Sequence, residues 1–166
     1  MKTDLVTHRI HQFVERCGLF WEDYGSQRMV GRVLGWLLIC DPPAQSLAQI
    51  AEGVMASKAS ISTSTRSLEM MGLIERVTVR GERATYYRMV DGSWSQMFET
   101  KQVALRLFRE LAEEGLMVLE GAPESRRDRL QELHDMYEFM EAEMPKIIAD
   151  WRASRAAKAR RGEPEK

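Results

Sequence analysis

Apolar residues first recur at helical spacing. Val6, Ile10, Phe13, Val14, Cys17, Phe20, Trp21 and Tyr24 form one stripe with polar residues between them, which predicts an amphipathic helix over 5–24. Gly25 and Ser26 interrupt it, and Ser26 is placed to N-cap a second, more buried helix from Met29 to Cys40. Gly31 and Gly35 lie one turn apart there, so a neighbouring helix can come close. Asp41, Pro42 and Pro43 end this segment. A short helix over 46–54 turns Leu47, Ile50, Ala51 and Val54 inward, and a turn follows through Met55 and Ala56. Ser57 then caps a helix running to about Met71, with Gly72 as its stop.

The period changes after Gly72. Residues 73–79 alternate as a strand, 80–83 read as a turn, and 84–90 are β-branched and aromatic, so a β-hairpin follows directly. Ser93 is a good N-cap for a long helix from Trp94, which carries Met97, Phe98, Ala104, Leu105, Phe108, Leu111, Ala112 and Leu119 on one side and ends near Pro123. In the final helix Leu130, Leu133, Tyr137, Met140, Met144, Ile147 and Trp151 step by three and four, the pattern of a coiled-coil seam. Pro145 is expected to kink it. Past Trp151 the stripe is lost, and a frayed basic tail is expected.

Two short helices joined tightly and followed by a two-stranded wing make the winged helix-turn-helix order. The fold class predicted is mainly α (α+β), with this unit flanked by N-terminal and long C-terminal dimerisation helices. The expected divisions are 1–40 as N-terminal scaffold and dimerisation helices, 41–92 as the DNA-binding unit, 93–151 as C-terminal dimerisation helices and 152–166 as flexible tail. Phe13, Leu105, Phe108, Leu130, Leu133, Tyr137, Met140 and Met144 are the residues expected to build a homodimer.

Composition adds constraint rather than detail. With 44% hydrophobic and 30% charged residues over 166 positions, the chain has ordinary globular composition and can bury a core. No run approaches a membrane span and the start lacks a signal-peptide apolar region, so a cytoplasmic protein without membrane contact is expected. The net charge of −1 speaks against a nucleic-acid binder until its distribution is read. Residues 53–90 hold six basic groups against three acidic, 95–150 seven against thirteen, and 151–166 six against two. Near-neutrality hides a basic middle and a basic end around an acidic helical region.

On the helix after Ser57, Ile61, Ser64, Thr65 and Leu68 share one face, so Ala59, Thr63 and Arg66 point the other way, flanked by Lys58, Ser60, Ser62 and Ser67. Hydroxyls, one alanine and two cations without an acid suit a major groove, where Arg can pair bidentately with guanine and small groups allow close approach. The helix start at Ser57 favours a phosphate. Arg80 and Arg83 at the wing tip are placed for backbone or minor-groove contact, softened by Glu82. Against this stands the plain alternative of a solvated polar helix face with ordinary surface arginines.

Five ordered segments, residues 13–25 (FVERCGLFWEDYG), 31–35 (GRVLG), 41–43 (DPP), 57–66 (SKASISTSTR) and 72–76 (GLIER), resemble the MarR-like winged-helix regulators and, within them, the GbsR-type branch. The resemblance covers roughly 5–90; the two C-terminal helices match by architecture. It implies a homodimer on double-stranded DNA with a pseudo-palindromic operator, the helix from Ser57 reading the groove, and expected repression. It also implies a possible small-molecule effector, for which no motif here supplies an identity. Trp21, Tyr24 and Trp36 are the candidate aromatic pocket; the GbsR likeness brings in a quaternary ammonium such as choline, while core packing is the preferred reading of these rings.

Other chemistry is thin. No phosphate loop, nucleophile elbow, HExxH or four-ligand Cys/His set occurs, so an enzyme is not expected, nor any cofactor. His8 and His11 have no third ligand at suitable spacing and read as surface histidines. Cys17 and Cys40 sit in apolar surroundings without CxxC spacing and read as buried thiols. The competing function is a winged helix used for protein contacts without specific DNA binding.

Overall fold

The computed structural model describes residues 2–161, with side chains from Leu5 onward. They divide into two compact units, Met1–Ser93 and Trp94–Lys166.

In the first unit α1 (Lys2–Asp23) packs along α2 (Arg28–Ile39). The close approach comes from the two predicted glycines: a Cβ on Gly31 would lie 2.7 Å from that of Trp21, and one on Gly35 2.8 Å from that of Cys17. Val14 from α1 and Val30, Val33, Leu34 and Leu37 from α2 are buried. Between the helices Gly25 adopts a φ of +80°, with Gly25 N–H bonded to Glu22 O and Ser26 N–H to Trp21 O. This is a Schellman end, and it corrects the expected role of Ser26. Ser26 finishes α1, and the N-cap of α2 falls to Gln27, which makes no side-chain capping bond.

The next helix, α3 (Leu47–Gly53), starts at a full capping box in which Ser46 and Gln49 satisfy each other's backbone N–H groups. Its end repeats the Schellman geometry with Met55 at φ +51°, a conformation favoured for glycine. The helix α4 (Lys58–Met70) follows, N-capped by the Ser57 hydroxyl and stopped at Gly72, φ +68°. Ile61, Ser64, Thr65 and Leu68 are all buried, as the helical wheel requires.

The sheet is larger than expected. Strands β2 (Ile74–Thr78) and β3 (Thr85–Met89) pair antiparallel as the wing, and β1 (Gln45–Ser46) adds a third strand on the other side of β3. Two residues are too few to show alternation, so β1 leaves no periodic trace. The predominantly helical winged helix-turn-helix class stands, with a three-stranded sheet.

The second unit is an antiparallel hairpin of α5 (Ser93–Val118) and α6 (Glu124–Arg161), turned at Gly121 with φ +76°. Phe108 stacks on Tyr137 at 5.1 Å between centroids, Leu130 covers Gly115, and Arg109 Nε donates to Glu141 at 2.8 Å. Ala112 is fully buried and Leu105 half-buried, whereas Leu111, expected on the same side, is 58% exposed. The helix α6 continues through Pro145 to Arg161. The tail expected to fray after Trp151 is therefore helical as far as Arg161, because its alanines and arginines are strong helix formers without needing an apolar stripe. Residues 162–166 of that tail lie outside the described residues. Among the described residues no helix is long and apolar enough to cross a membrane.

Candidate nucleic-acid interface

The exposed face of α4 is set by its buried one. With Ile61 and Leu68 anchored at zero exposure, Lys58, Ala59, Thr63 and Arg66 are exposed, and Ser60, Ser62 and Ser67 are half-buried at the margins. The hydroxyls of Thr63, Ser64, Thr65 and Ser67 are occupied along the helix's own backbone. Thr63 Oγ1 donates to Ala59 O at 3.3 Å, Ser67 Oγ to Thr63 O at 3.3 Å, and Arg66 Nε to Ser62 O at 3.3 Å. A hydroxyl rotor held by such a bond can redirect its proton to a phosphate or base acceptor. At the start of α4, Ser57 Oγ accepts the Ser60 N–H at 3.3 Å, while the earliest N–H groups of the helix precede its first intrahelical bond. A partial positive charge is concentrated there.

Pairing sorts the basic residues of the middle region into two classes. Arg76 grips Glu69 with two bonds of 2.6 and 2.9 Å, its guanidinium 5.9 Å from the Tyr87 ring centre. Arg88 donates to Glu75 at 2.8 Å, and the two are direct cross-strand partners in the wing. These pairs neutralise two of the three acids. Among the described residues, Lys58, Arg66, Arg80 and Arg83 have no acid within ion-pair distance; all are exposed, with Glu82 left as the one nearby counter-charge in the wing turn. The turn itself is formed by Gly81 at φ +89° and a Glu82 N–H to Val79 O bond of 3.0 Å.

The helix-turn-helix is held from behind by Arg32 of α2. Its Nη2 donates to Val54 O at the end of α3, and its Nε lies 3.2 Å from Glu15 of α1 without hydrogen-bond alignment. Arg28 adds a further bond to Glu15. Trp36 lies against Gly53, where any Cβ would collide with the indole. Thus α1 and α2 together fix α3, and α3 fixes the turn into α4. Sequence spacing gave no sign of Arg32, since its partner is a backbone carbonyl 22 residues away.

The other candidate residues sit apart. Trp21 packs on Gly31, Trp36 on Gly53, and Tyr24 is 77% exposed with its ring against Phe20 at 4.6 Å, so these rings meet different neighbours. His8 bonds Gln12 at 2.9 Å. Cys17 and Cys40 are half-buried rather than fully buried, and in both burial pushes the thiol upward from its ordinary pKa, against thiolate chemistry. Of the expected dimerisation residues, Phe13 is 40% and Phe108 47% exposed, while Leu105, Leu130, Leu133, Tyr137, Met140 and Met144 are half-buried. The periodicity did not single out a cluster on the hairpin: His134 bridges Asp135, at 3.1 Å, and Glu113, at 3.3 Å.

Comparison with known proteins bears on the whole arrangement. The family described as MmpR5-like MarR family transcriptional regulator matches residues 92–154, the two long helices. The HTH-type transcriptional regulator MmpR5 of Mycobacterium tuberculosis (strain ATCC 25618 / H37Rv) is 39% identical over 132 residues, 80% of each chain. A crystal structure described as that of a transcriptional regulator superposes with a TM-score of 0.73 at 36% identity, covering 87% of this chain and 99% of the other. This family consists of transcriptional regulators, not enzymes. With its winged helix-turn-helix, its long helical hairpin and this similarity over most of its length, the chain belongs to the MarR family of transcriptional regulators.

Proposed function

We propose that the protein represses transcription by binding duplex DNA as a homodimer, each subunit laying α4 in a major groove of a pseudo-palindromic operator. The observation that carries this reading is the sorting of charge. Arg76 and Arg88 are consumed by Glu69 and Glu75, and within residues 53–90 the cations that the described residues leave without an ion pair lie on the exposed face of α4 and at the wing tip. In this reading Ser57, Lys58, Ser60, Ser62, Thr63, Arg66 and Ser67 meet the groove and its phosphates, and Arg80 and Arg83 follow the backbone or enter the adjacent minor groove. Two half-sites lie about one helical turn apart, as in other helix-turn-helix dimers.

The functional divisions follow the same logic. Residues 41–92 contact DNA in the cytoplasm, and 1–40 with 93–151 build the dimer. The half-buried seam residues of α6 and the partly exposed Phe13 and Phe108 support that assignment. The five motif segments support placement in the GbsR-type branch. A small-molecule effector acts by favouring one spacing of the two α4 helices.

The test is binding to the protein's own upstream intergenic DNA across a salt series, with an Arg66→Ala, Arg80→Ala, Arg83→Ala triple variant alongside. Saturable, sequence-selective binding is expected, weakening with salt. Each lost phosphate contact lowers the slope of log affinity against log salt by about 0.9. Equal affinity of the triple variant and the native protein would overturn the assignment of these contacts and point to a protein-interaction surface.

A further inference from the structure

The hairpin of α5 and α6 holds a single histidine, and neither the winged unit nor the dimer reading uses it. The His134 side chain is 16% exposed, and a carboxylate meets each of its ring nitrogens. Asp135 Oδ1 stands 3.1 Å from Nδ1, and Glu113 Oε1 of α5 stands 3.3 Å from Nε2. A neutral imidazole carries one N–H and one lone pair. When Nε2–H is donated to Glu113, Nδ1 turns its lone pair toward the Asp135 carboxylate. Two such groups repel each other unless a cation stands between them. A proton is one such cation, and a metal ion is another.

A third ligand is at hand. Glu138 follows His134 by four residues, one turn further along the same helix face. One ligating atom from each of His134, Asp135 and Glu138 lies within 4.8 Å of the other two. Atoms bound to one ion at zinc-ligand distances stand about 3–3.5 Å apart, so the 3.1 Å between Nδ1 and Asp135 already suits a shared ion. The exposed Glu138 closes the rest by rotating its side chain. Charge favours the same place. Arg109 is engaged by Glu113 and Glu141, and among the described residues no lysine or arginine pairs with Asp135 or Glu138. Gln131 donates to the same Asp135 oxygen at 2.8 Å, which steadies that carboxylate, and an oxygen with two lone pairs can keep this bond while it binds an ion.

We infer that His134 Nδ1, Asp135 and Glu138 form a binding site for a divalent first-row transition-metal ion, with Glu113 as the carboxylate that orients the ring from α5. A metal-bound histidine commonly donates its other N–H to a carboxylate, and Glu113 stands where that partner is needed. The imidazole nitrogen selects ions such as zinc, cobalt or nickel over magnesium and calcium, which take oxygen ligands. Water completes the shell on the exposed side, where the two carboxylates of α6 also give the ion a path in. The bound ion holds the ring against Glu113 and so fastens α6 to α5. This site is independent of the DNA-binding reading above, which stands or falls on α4 and the wing.

The experiment titrates the full chain, stripped with EDTA and exchanged into metal-free buffer at neutral pH, with zinc chloride in a calorimeter. One zinc ion per chain is expected, undisturbed by a large excess of magnesium, with a melting temperature that rises on zinc addition. His134→Gln should abolish this binding and the rise in melting temperature. Glu138→Gln should weaken binding at least about tenfold, the usual scale for losing a group that holds or orients a metal. A His8→Gln, His11→Gln double variant, which removes the other two histidines of the chain, should bind as the native protein does. All variants are first checked for native helix content; should His134→Gln lose it, the exposed Glu138 carries the test. Nitrogen NMR of the His134 ring should show the zinc-induced shift at Nδ1 while Nε2 stays protonated. Zinc affinity no tighter than millimolar, equal binding by native protein and Glu138→Gln, or loss of binding in the double variant alone would each overturn the site and leave the DNA-binding reading untouched. A shift at Nε2 instead would overturn the part given to Glu113.

Discussion

Met55 occupies the one backbone position among the described non-glycine residues with a positive φ, at the end of α3 where the chain turns toward α4. An L side chain in the left-handed region costs about 1–2 kcal/mol, and Met55 recovers little by packing because it is 69% exposed. Met55→Gly is therefore expected to stabilise the protein by about 1 kcal/mol, read as a higher urea midpoint at unchanged slope. The gain has a limit, since glycine also frees the unfolded chain. An unchanged midpoint would mean that the methionine side chain gives back in contacts what its backbone costs. The same turn shows why some residues were legible early and others were not. Gly72 announced the end of α4 because glycine is the usual residue there, whereas Met55 filled the equivalent place at the end of α3 with nothing in its chemistry to mark it. Arg66, Arg80 and Arg83 could be chosen from sequence as contacts, but Arg76 and Arg88 looked just as basic. Only the β2–β3 register, which sets Glu75 opposite Arg88, and the return of Arg76 onto Glu69 separate the two groups.

At the scale of elements, the hairpin of α5 and α6 is joined by a titrating network. His134 on α6 faces Glu113 of α5, which also receives Arg109, and on its own helix it meets Asp135 with Glu138 nearby. The bond to Asp135 and then that to Glu113 raise the His134 pKa above its ordinary 6.5, against the opposing effect of desolvation. Asp135 is correspondingly lowered, through Gln131 first and His134 second. A raised folded-state value means that the protonated form is favoured in the native hairpin. Its stabilisation is complete below about pH 6.5 and is lost as pH rises through the folded pKa. A His134→Gln variant should accordingly melt lower than the native protein at pH 6 and converge with it in alkaline solution. An NMR titration of the His134 ring with a midpoint at or below 6.5 would sink this account. The elements themselves were largely readable from period: both long helices and the wing follow stripes and alternation that a lone chain displays. What escaped was structure without a period. Strand β1 has two residues, the end of α6 has alanines in place of a stripe, and Ser26 serves the helix behind it instead of the one ahead.

For the whole molecule the decisive feature is that α5 has two apolar faces and a single chain covers one. Leu105, Phe108 and Ala112 turn toward α6, yet Val103, Leu107 and Leu111 form a second stripe at four-residue spacing, 50%, 57% and 58% exposed. On α6, Phe139 and Ile147 are likewise exposed, at 61% and 58%. An exposed apolar stripe of this kind marks a partner. Under the homodimer reading that partner is a second copy, and a substitution in a symmetric interface is felt twice. Leu111→Glu isolates the point. In a monomer an exposed leucine on a helix can become glutamate within about 0.5 kcal/mol, because glutamate is also a good helix former. In the dimer the same change buries two carboxylates among apolar side chains, costing at least about 2 kcal/mol for each copy if the position is a central one. Sedimentation should then show native dimer and variant monomer at equal helix content. Operator binding should fall more steeply than binding to an isolated half-site, since one subunit retains α4 and its wing but loses the second groove. A variant that stays dimeric and binds the operator normally would place the subunit contact elsewhere and leave the exposed stripe of α5 to a different partner.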